Sequence, residues 1–241
     1  MPPEAATIKT LAPKTLALIT IGQAPRVDLT PDIMPLFEGI NVIEAGALDE
    51  LSPAEIAKLR PRAGEGVLVS RLRSGGHAVL SEERIHPLIQ QAVDRAVSLG
   101  ATAILVVCTG DIPGLSAPVP LYLAEALAHG AVAALIGEAP LTVVVPEPEQ
   151  AGAIAARWAR RLGREVTTIA CDPYTEPLAR FAELGAGLDA GLGAGAAGSA
   201  GWVFLDCIGY SEAMAAEIRA NTGARVLTAR TLAARLVTAA L

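Results

Sequence analysis

The sequence predicts an α/β protein made of two similar parallel-sheet units that face each other across a cleft. Three observations predict it. Short runs rich in Val, Ile and Leu alternate along the 241 residues with longer Ala/Leu/Glu/Arg segments, the pattern of parallel strands joined by helices. An apolar run ending in Cys-x-Gly occurs twice, at Cys108 and Cys207, about 100 residues apart and so close to half the chain. In each half another apolar run, "LALIT" or "LTVVV", precedes the cysteine strand.

In chain order, strands are expected at 14–20, 40–44, 66–70, 103–108, 141–146, 165–170, 202–207 and 225–228, each a short β-branched or Leu-rich run. Helices are expected between them at 52–59, 81–99, 119–136, 148–163, 175–184, 211–221 and 229–240. Ser52-Pro53-x-Glu55 supplies an N-cap beside an N1 proline, Ser81-Glu82-Glu83 puts acid in a first turn, and Ser211-Glu212 is a further cap. The glycine-rich stretch 185–201 fits poorly, since each glycine costs a helix up to about 1 kcal/mol relative to alanine. It reads as a crossover element, either a weak helix or a loop. The segment 73–84, "RSGGHAVLSEER", reads as a glycine hinge carrying His77, either a lid or a surface connection. No strand leads straight into its "SGG", so it lacks the placement of a phosphate-binding loop.

Composition excludes several classes. Apolar residues make up 52% and aromatic ones only 3%, so the core must be aliphatic. A net charge of −6, without Lys/Arg clusters, gives no field for a nucleic-acid backbone. The N-terminus carries no apolar export region, and "TLALITIG" is far short of the roughly 20 residues that span a bilayer, so a cytoplasmic protein with no membrane partner is expected. Cys108, Cys171 and Cys207 are odd in number and widely spaced, with no C-x-x-C and no metal-ligand spacing to His77, His86 or His129. They read as thiols, and no metal is expected. No heptad or apolar stripe declares an oligomeric state, and a homodimer stays open.

The chemistry follows from where Cys108 and Cys207 fall. Ligands of parallel sheets bind beyond the carboxyl ends of strands, and both cysteines lie there. Gly110 and Gly209, two residues on, let the backbone turn and approach a ligand, and a nearby helix N-terminus is expected to lower the thiol pKa. Two thiols across a cleft suit proton removal from a carbon beside a carboxylate on one face and proton return on the other. No cofactor is needed. Thr20 and Thr109 are the nearest hydroxyls for the small-molecule carboxylate.

The segments "TIGQAPRVDL" (20–29), "VCTGD" (107–111) and "LDCIGY" (205–210) resemble the AroM family of the aspartate/glutamate/hydantoin racemase superfamily, in order and spacing over residues 14–241. The resemblance implies two pseudosymmetric four-stranded parallel α/β domains of racemase-like, flavodoxin-like order. Residues 14–118 and the returning helix 229–241 would form the first, and 119–228 the second. By position Cys108 and Cys207 match the two superfamily cysteines. The sequence departs from glutamate racemases, which carry an Asp-Ser-Gly loop after the first strand and a histidine soon after the second cysteine; "CIGY" looks more like the hydantoin-racemase pattern.

A cofactor-independent racemase or isomerase of a small carboxylate or hydantoin-like substrate is the reading, with Cys108 and Cys207 as its acid/base pair. A decarboxylase-type lyase and a catalytically silent small-molecule binder or regulator are the alternatives. Arg26 is either a clamp on the substrate carboxylate or the partner of Asp28 in a loop ion pair. Gly22 and Gln23 are expected to line the site, and Asp111 and Tyr210 to rim it. Asp206 should point away from Cys207 into a hydrogen-bonding role, and Cys171 reads as structural.

Overall fold

The run TLALIT becomes β1 (Thr15–Thr20), whose last five residues are buried. A strand covered on both faces needs apolar side chains on both, hence the unbroken aliphatic run. With β2 (Asn41–Gly46), β5 (Ala103–Val106) and β6 (Leu121–Leu123) it forms a four-stranded parallel sheet, ordered β2-β1-β5-β6. The second sheet, of β7 (Leu141–Val145), β8 (Thr167–Ala170), β9 (Trp202–Leu205) and β10 (Arg225–Thr228), is ordered β10-β9-β7-β8. Counted in chain order within each sheet, both read 2-1-3-4. The two sheets are therefore topological copies, and the third strand of each runs on to a cysteine. The computed structural model describes residues 14–191 and 201–241.

Strand alternation sorts side chains to the two faces. Leu16 and Leu18 of β1, with Ala103, Leu105 and Val107, pack against Ala233, Ala234 and Val237 of the last helix, α8 (Ala229–Ala240), so the C-terminus returns to the first sheet. Ala17, Ile19, Ile104, Val106 and Cys108 face the other way, toward α3 (Glu82–Ser98), whose Ile85, Ile89, Ala92, Val93 and Ala96 recur at helical spacing. In the second sheet Val203, Leu205 and Cys207 lie among Ala215 and Ile218 of α7 (Glu212–Asn221). Phe204 faces the opposite side, among Ala128 and Val132 of α4 (Ala124–Ile136) and Trp158 of α5 (Pro148–Leu162). Cys108 and Cys207 thus occupy equivalent pleat positions in the two copies.

The structure corrects several sequence expectations. Segment 73–84 is neither hinge nor lid: β3 (Val67–Arg71) and β4 (His77–Ser81) form an antiparallel hairpin turned through Gly75, whose φ of 90° suits glycine. Burial of Ala78 and Leu80 is the period-2 signal behind β4. The helix expected from 119 begins at Ala124, because Leu121–Leu123 pair with β5 and extend the first sheet instead of opening the second unit. A short helix α1 (Thr30–Ile33) and a 3-10 turn (Met34–Phe37) fill a stretch with no predicted element. The Ser52 capping box forms as expected at α2 (Pro53–Ala57), and Ser211 caps α7. At α3 the expected first-turn acids, Glu82 and Glu83, are in place, and the Ser81 hydroxyl donates to the Glu83 carboxylate. Helix α6 (Leu178–Gly191) runs into the glycine-rich stretch, of which 192–200 lie outside the described residues. Among the described residues, no helix is long and apolar enough to cross a membrane.

Candidate active site

The two cysteine loops meet at one cavity of about 530 Å³, lined by Cys108, Thr109, Gly110 and Asp111 from the first half and by Asp206, Cys207 and Ile208 from the second. Strand β3 forms a further wall from Val67 to Ser70, and α5 another through Gln150, Arg157 and Arg160. Each thiol sits in the same local arrangement: the N–H of Gly110 donates to Cys108 Sγ at 3.3 Å, and that of Gly209 to Cys207 Sγ at 3.4 Å. In both loops Cys-x-Gly folds the glycine N–H back onto the sulfur two residues before it. The halves are tied beside the thiols by the Thr109 hydroxyl, which donates to the Asp206 carbonyl at 3.2 Å.

Both cysteines are 8% exposed. Burial pushes the Cys108 thiol up to about 12, against the Gly110 N–H and the Arg26 guanidinium, which pull it down. Burial raises Cys207 as well, opposed by Gly209, Arg26 and the Tyr174 hydroxyl. The expected lowering by a helix N-terminus is therefore overturned in this closed site, because desolvation outweighs the nearby donors. The surroundings are unequal. Cys207 has a phenol beside it as well as the cation, and that phenol has no aligned hydrogen-bond partner among the described residues.

Arg26 proves to be the fixed charge behind the thiols. It is 2% exposed and grips Asp28 with Nε and Nη2, both at 2.8 Å, while Nη1 donates to Thr20 Oγ1 at 3.0 Å. The ion-pair reading thus describes Arg26, and the clamp on a substrate carboxylate does not. Thr20 is taken up in the same way, also accepting the Gly22 N–H at 3.2 Å. Gln23 braces the loop and the hairpin, donating to the Leu48 carbonyl and accepting from the Arg73 N–H. None of these residues lines the cavity. Tyr210 is fully buried, donates to the Cys171 carbonyl at 2.7 Å and meets Phe181 edge to face, so it belongs to the core with Cys171 and not to the rim. Asp111 does line the cavity.

Gly22 and Gly209 act by close approach. A Cβ on Gly209 would lie 2.6 Å from the Tyr174 hydroxyl, and one on Gly22 would lie 2.3 Å from the Arg71 carbonyl oxygen. Because the latter neighbour is backbone of β3, Gly22→Ala should displace the hairpin at a cost of about 1–3 kcal/mol. Calorimetry should show the lowered Tm, and thiol alkylation should accelerate as the wall opens.

Three functional elements escaped the sequence reading. Arg230, 1% exposed, donates to the carbonyls of Ile208 and Gly209 at 2.9 and 2.7 Å and to the Asp28 carbonyl and Asp32 carboxylate at 2.8 and 2.9 Å. It locks the Cys207 loop onto the loop after β1. Its signal was a lone arginine on the buried stripe of an Ala/Leu helix. Tyr174 follows β8, with the Arg71 guanidinium 5.7 Å over its ring. The third is the polar wall of Ser70, Gln150 and Arg157, for which no short motif exists.

Two like-ordered parallel sheets, each delivering a Cys-x-Gly strand end to a shared cavity, define a racemase-type α/β fold. The family described as AroM protein matches residues 16–241, and the chain belongs to that family. No curated protein matches it. A solved arylmalonate decarboxylase double mutant in its liganded form is 14% identical with a TM-score of 0.60, covering 95% of this chain and 92% of its own. A glutamate racemase from Bacillus anthracis is 12% identical with a TM-score of 0.61 over 95% of this chain and 81% of that one. For allantoin racemase from Klebsiella pneumoniae the values are 17%, 0.54, 94% and 86%. At such identities the likeness is one of fold.

Proposed function

We propose that the protein is a cofactor-independent racemase or isomerase of a small carboxylate or hydantoin-like substrate, with Cys207 and Cys108 as its acid/base pair. The observation that carries this reading is the convergence of two equivalent Cys-x-Gly loops on one cavity, each sulfur accepting its glycine N–H. Cys207, flanked by Tyr174 and Arg26, is the better supported thiolate. It takes the proton from the carbon beside the carboxylate, the negative charge passes to the substrate's carbonyl oxygens, and the Cys108 S–H delivers a proton to the opposite face. The pair is left with its protonation states exchanged, ready for the substrate of opposite hand.

A decarboxylase-type lyase is the second reading, favoured by one observation. With its thiol pushed up to about 12, Cys108 is a standing proton donor, and reprotonation after loss of CO₂ needs only one. Incubation in D₂O with amino acids, hydantoins and 2-substituted malonates separates the readings by loss of the α-proton signal against release of CO₂. Cys108→Ser and Cys207→Ser should each slow exchange by about 100-fold or more. Exchange that survives both substitutions would remove the pair from the mechanism. Ligands that bind without exchange or CO₂ release would make the protein a silent binder.

A further inference from the structure

Buried polar side-chain atoms are nearly always paired, so one that is not needs an explanation. Ser70 is 1% exposed, and its Oγ has no hydrogen-bond partner among the described residues. The fold gains nothing from this hydroxyl. Leu68 and Ser70 are the buried positions of β3, and they pair across the hairpin with Leu80 and Ala78, so three of these four buried side chains are apolar and the fourth is a serine. Alanine would fill the position without burying an unpaired oxygen. Neighbouring backbone groups are already bonded. The Gly22 N–H donates to Thr20 Oγ1 at 3.2 Å, the Gly22 carbonyl accepts from the Leu48 N–H at 3.0 Å, and the Arg71 carbonyl accepts from the Gln23 N–H at 3.3 Å.

Ser70 also stands at the end of the first sheet that carries Cys108. Strands β1 and β5 are neighbours, so the loop after β1 lies beside the Cys108 loop. The buried face of β3 covers both: a Cβ on Gly110 would lie 2.4 Å from Leu68 Cδ2, and one on Gly22 would lie 2.4 Å from Ser70 Oγ. Gly22 leaves room for that oxygen. Ser70 lines the same cavity as Cys108 and Cys207. The hydroxyls and the cation expected to meet a substrate carboxylate are spent elsewhere. Thr20 and Arg26 bond each other and do not line the cavity, and the Thr109 hydroxyl donates to the Asp206 carbonyl. Ser70 is left as the uncommitted hydroxyl on the cavity wall among the described residues.

We infer that Ser70 is the hydroxyl that binds the substrate carboxylate beside the reacting carbon, donating to one of its oxygens. This rests on reading the cavity as a site of proton transfer next to a carboxylate. Rotation about one side-chain bond turns the hydroxyl to a ligand without moving β3. The hydrogen bond strengthens as the carbon loses its proton, because negative charge then passes to the oxygen that accepts it. The donor thus comes from the hairpin, and not from the loop after β1 or the Cys108 loop.

Ser70→Ala tests it in three measurements on the intact protein. Tm should stay unchanged or rise, since the substitution removes only an unpaired buried hydroxyl. Alkylation of Cys108 and Cys207 is followed with acetate, propionate, malonate and phenylacetate, each against its primary amide. At least one carboxylate should protect the wild-type thiols, and Ser70→Ala should raise the concentration needed by about tenfold, with a smaller change for the amide. Exchange of the α-proton in D₂O should slow by about 100-fold for any acid that exchanges. Protection unchanged by the substitution, loss of acid and amide protection alike, or no protection by any of the carboxylates overturns the inference. A lowered Tm with unchanged protection would make the hydroxyl structural and overturns it too. Ser70-dependent protection with no exchange of any acid would fail the racemase reading alone, and exchange at the wild-type rate in Ser70→Ala would fail this one alone.

Discussion

Asp206→Ala should cost about 3–5 kcal/mol, the loss associated with removing one partner of a buried charged pair, and lower Tm by on the order of 10 °C. The carboxylate is buried directly before Cys207, on the opposite face of the strand. Its Oδ1 lies 2.7 Å from His129 Nε2, and its Oδ2 accepts the Trp158 indole N–H at 3.0 Å. Trp158 and His129 are both fully buried, with ring centroids 4.6 Å apart, so neither can turn to water when the acceptor is deleted. Asp206→Asn keeps an acceptor for Trp158 and should be the milder change. The substitution also has a pH signature. Burial opposes the charged imidazole, but Asp206 and Glu125 outweigh it and raise the His129 pKa above its usual 6.5. A raised folded-state value means that His129 contributes stability fully below about 6.5 and loses it as pH rises through the higher folded value. Asp206→Ala should flatten that alkaline slope in thermal melts across pH; a slope equal to the wild type's would show that the ion pair is not its source.

The fold was legible because β1, β5, β7 and β9 are buried on both faces, and such strands must be written as continuous aliphatic runs. What escaped was short or masked. β6 is three half-buried residues leading straight into an Ala-rich helix, too few for a period to register. β4 hid behind Gly75-Gly76, where a tight hairpin and a flexible hinge have the same composition. The cysteine pair was legible through its repeat, since equivalent positions in two copies of one fold converge. The environment of the thiols was not. Whether an arginine is open to a ligand depends on what else holds it, and for Arg230 the partner Asp32 lies 198 residues away. Arg157 and Gln150 meet the cavity, and Tyr174 meets Arg71, only because the halves fold face to face, and no local spacing carries that.

Arg26→Gln should raise the pKa of both thiols and slow their alkylation at fixed pH by roughly tenfold, in addition to destabilising the fold. The guanidinium is among the influences pulling down Cys108 and Cys207, and Asp28 is the carboxylate that offsets it. That pairing supplies a comparison in which a purely structural role and an electrostatic one diverge. Asp28→Asn breaks the same buried pair and should likewise lower Tm, but it leaves the Arg26 charge less neutralised, so the thiol pKa values should fall and alkylation quicken. Opposite shifts in reactivity from two substitutions that both destabilise would identify Arg26 as an electrostatic setting for the acid/base pair. If both variants alkylate faster, loosened packing around the cavity accounts for them, and the geometry of the pair serves the fold alone. Arg26→Lys separates charge from shape: it keeps the cation but cannot hold both Asp28 oxygens while reaching Thr20, so it should retain most of the thiol effect while losing much of the stability.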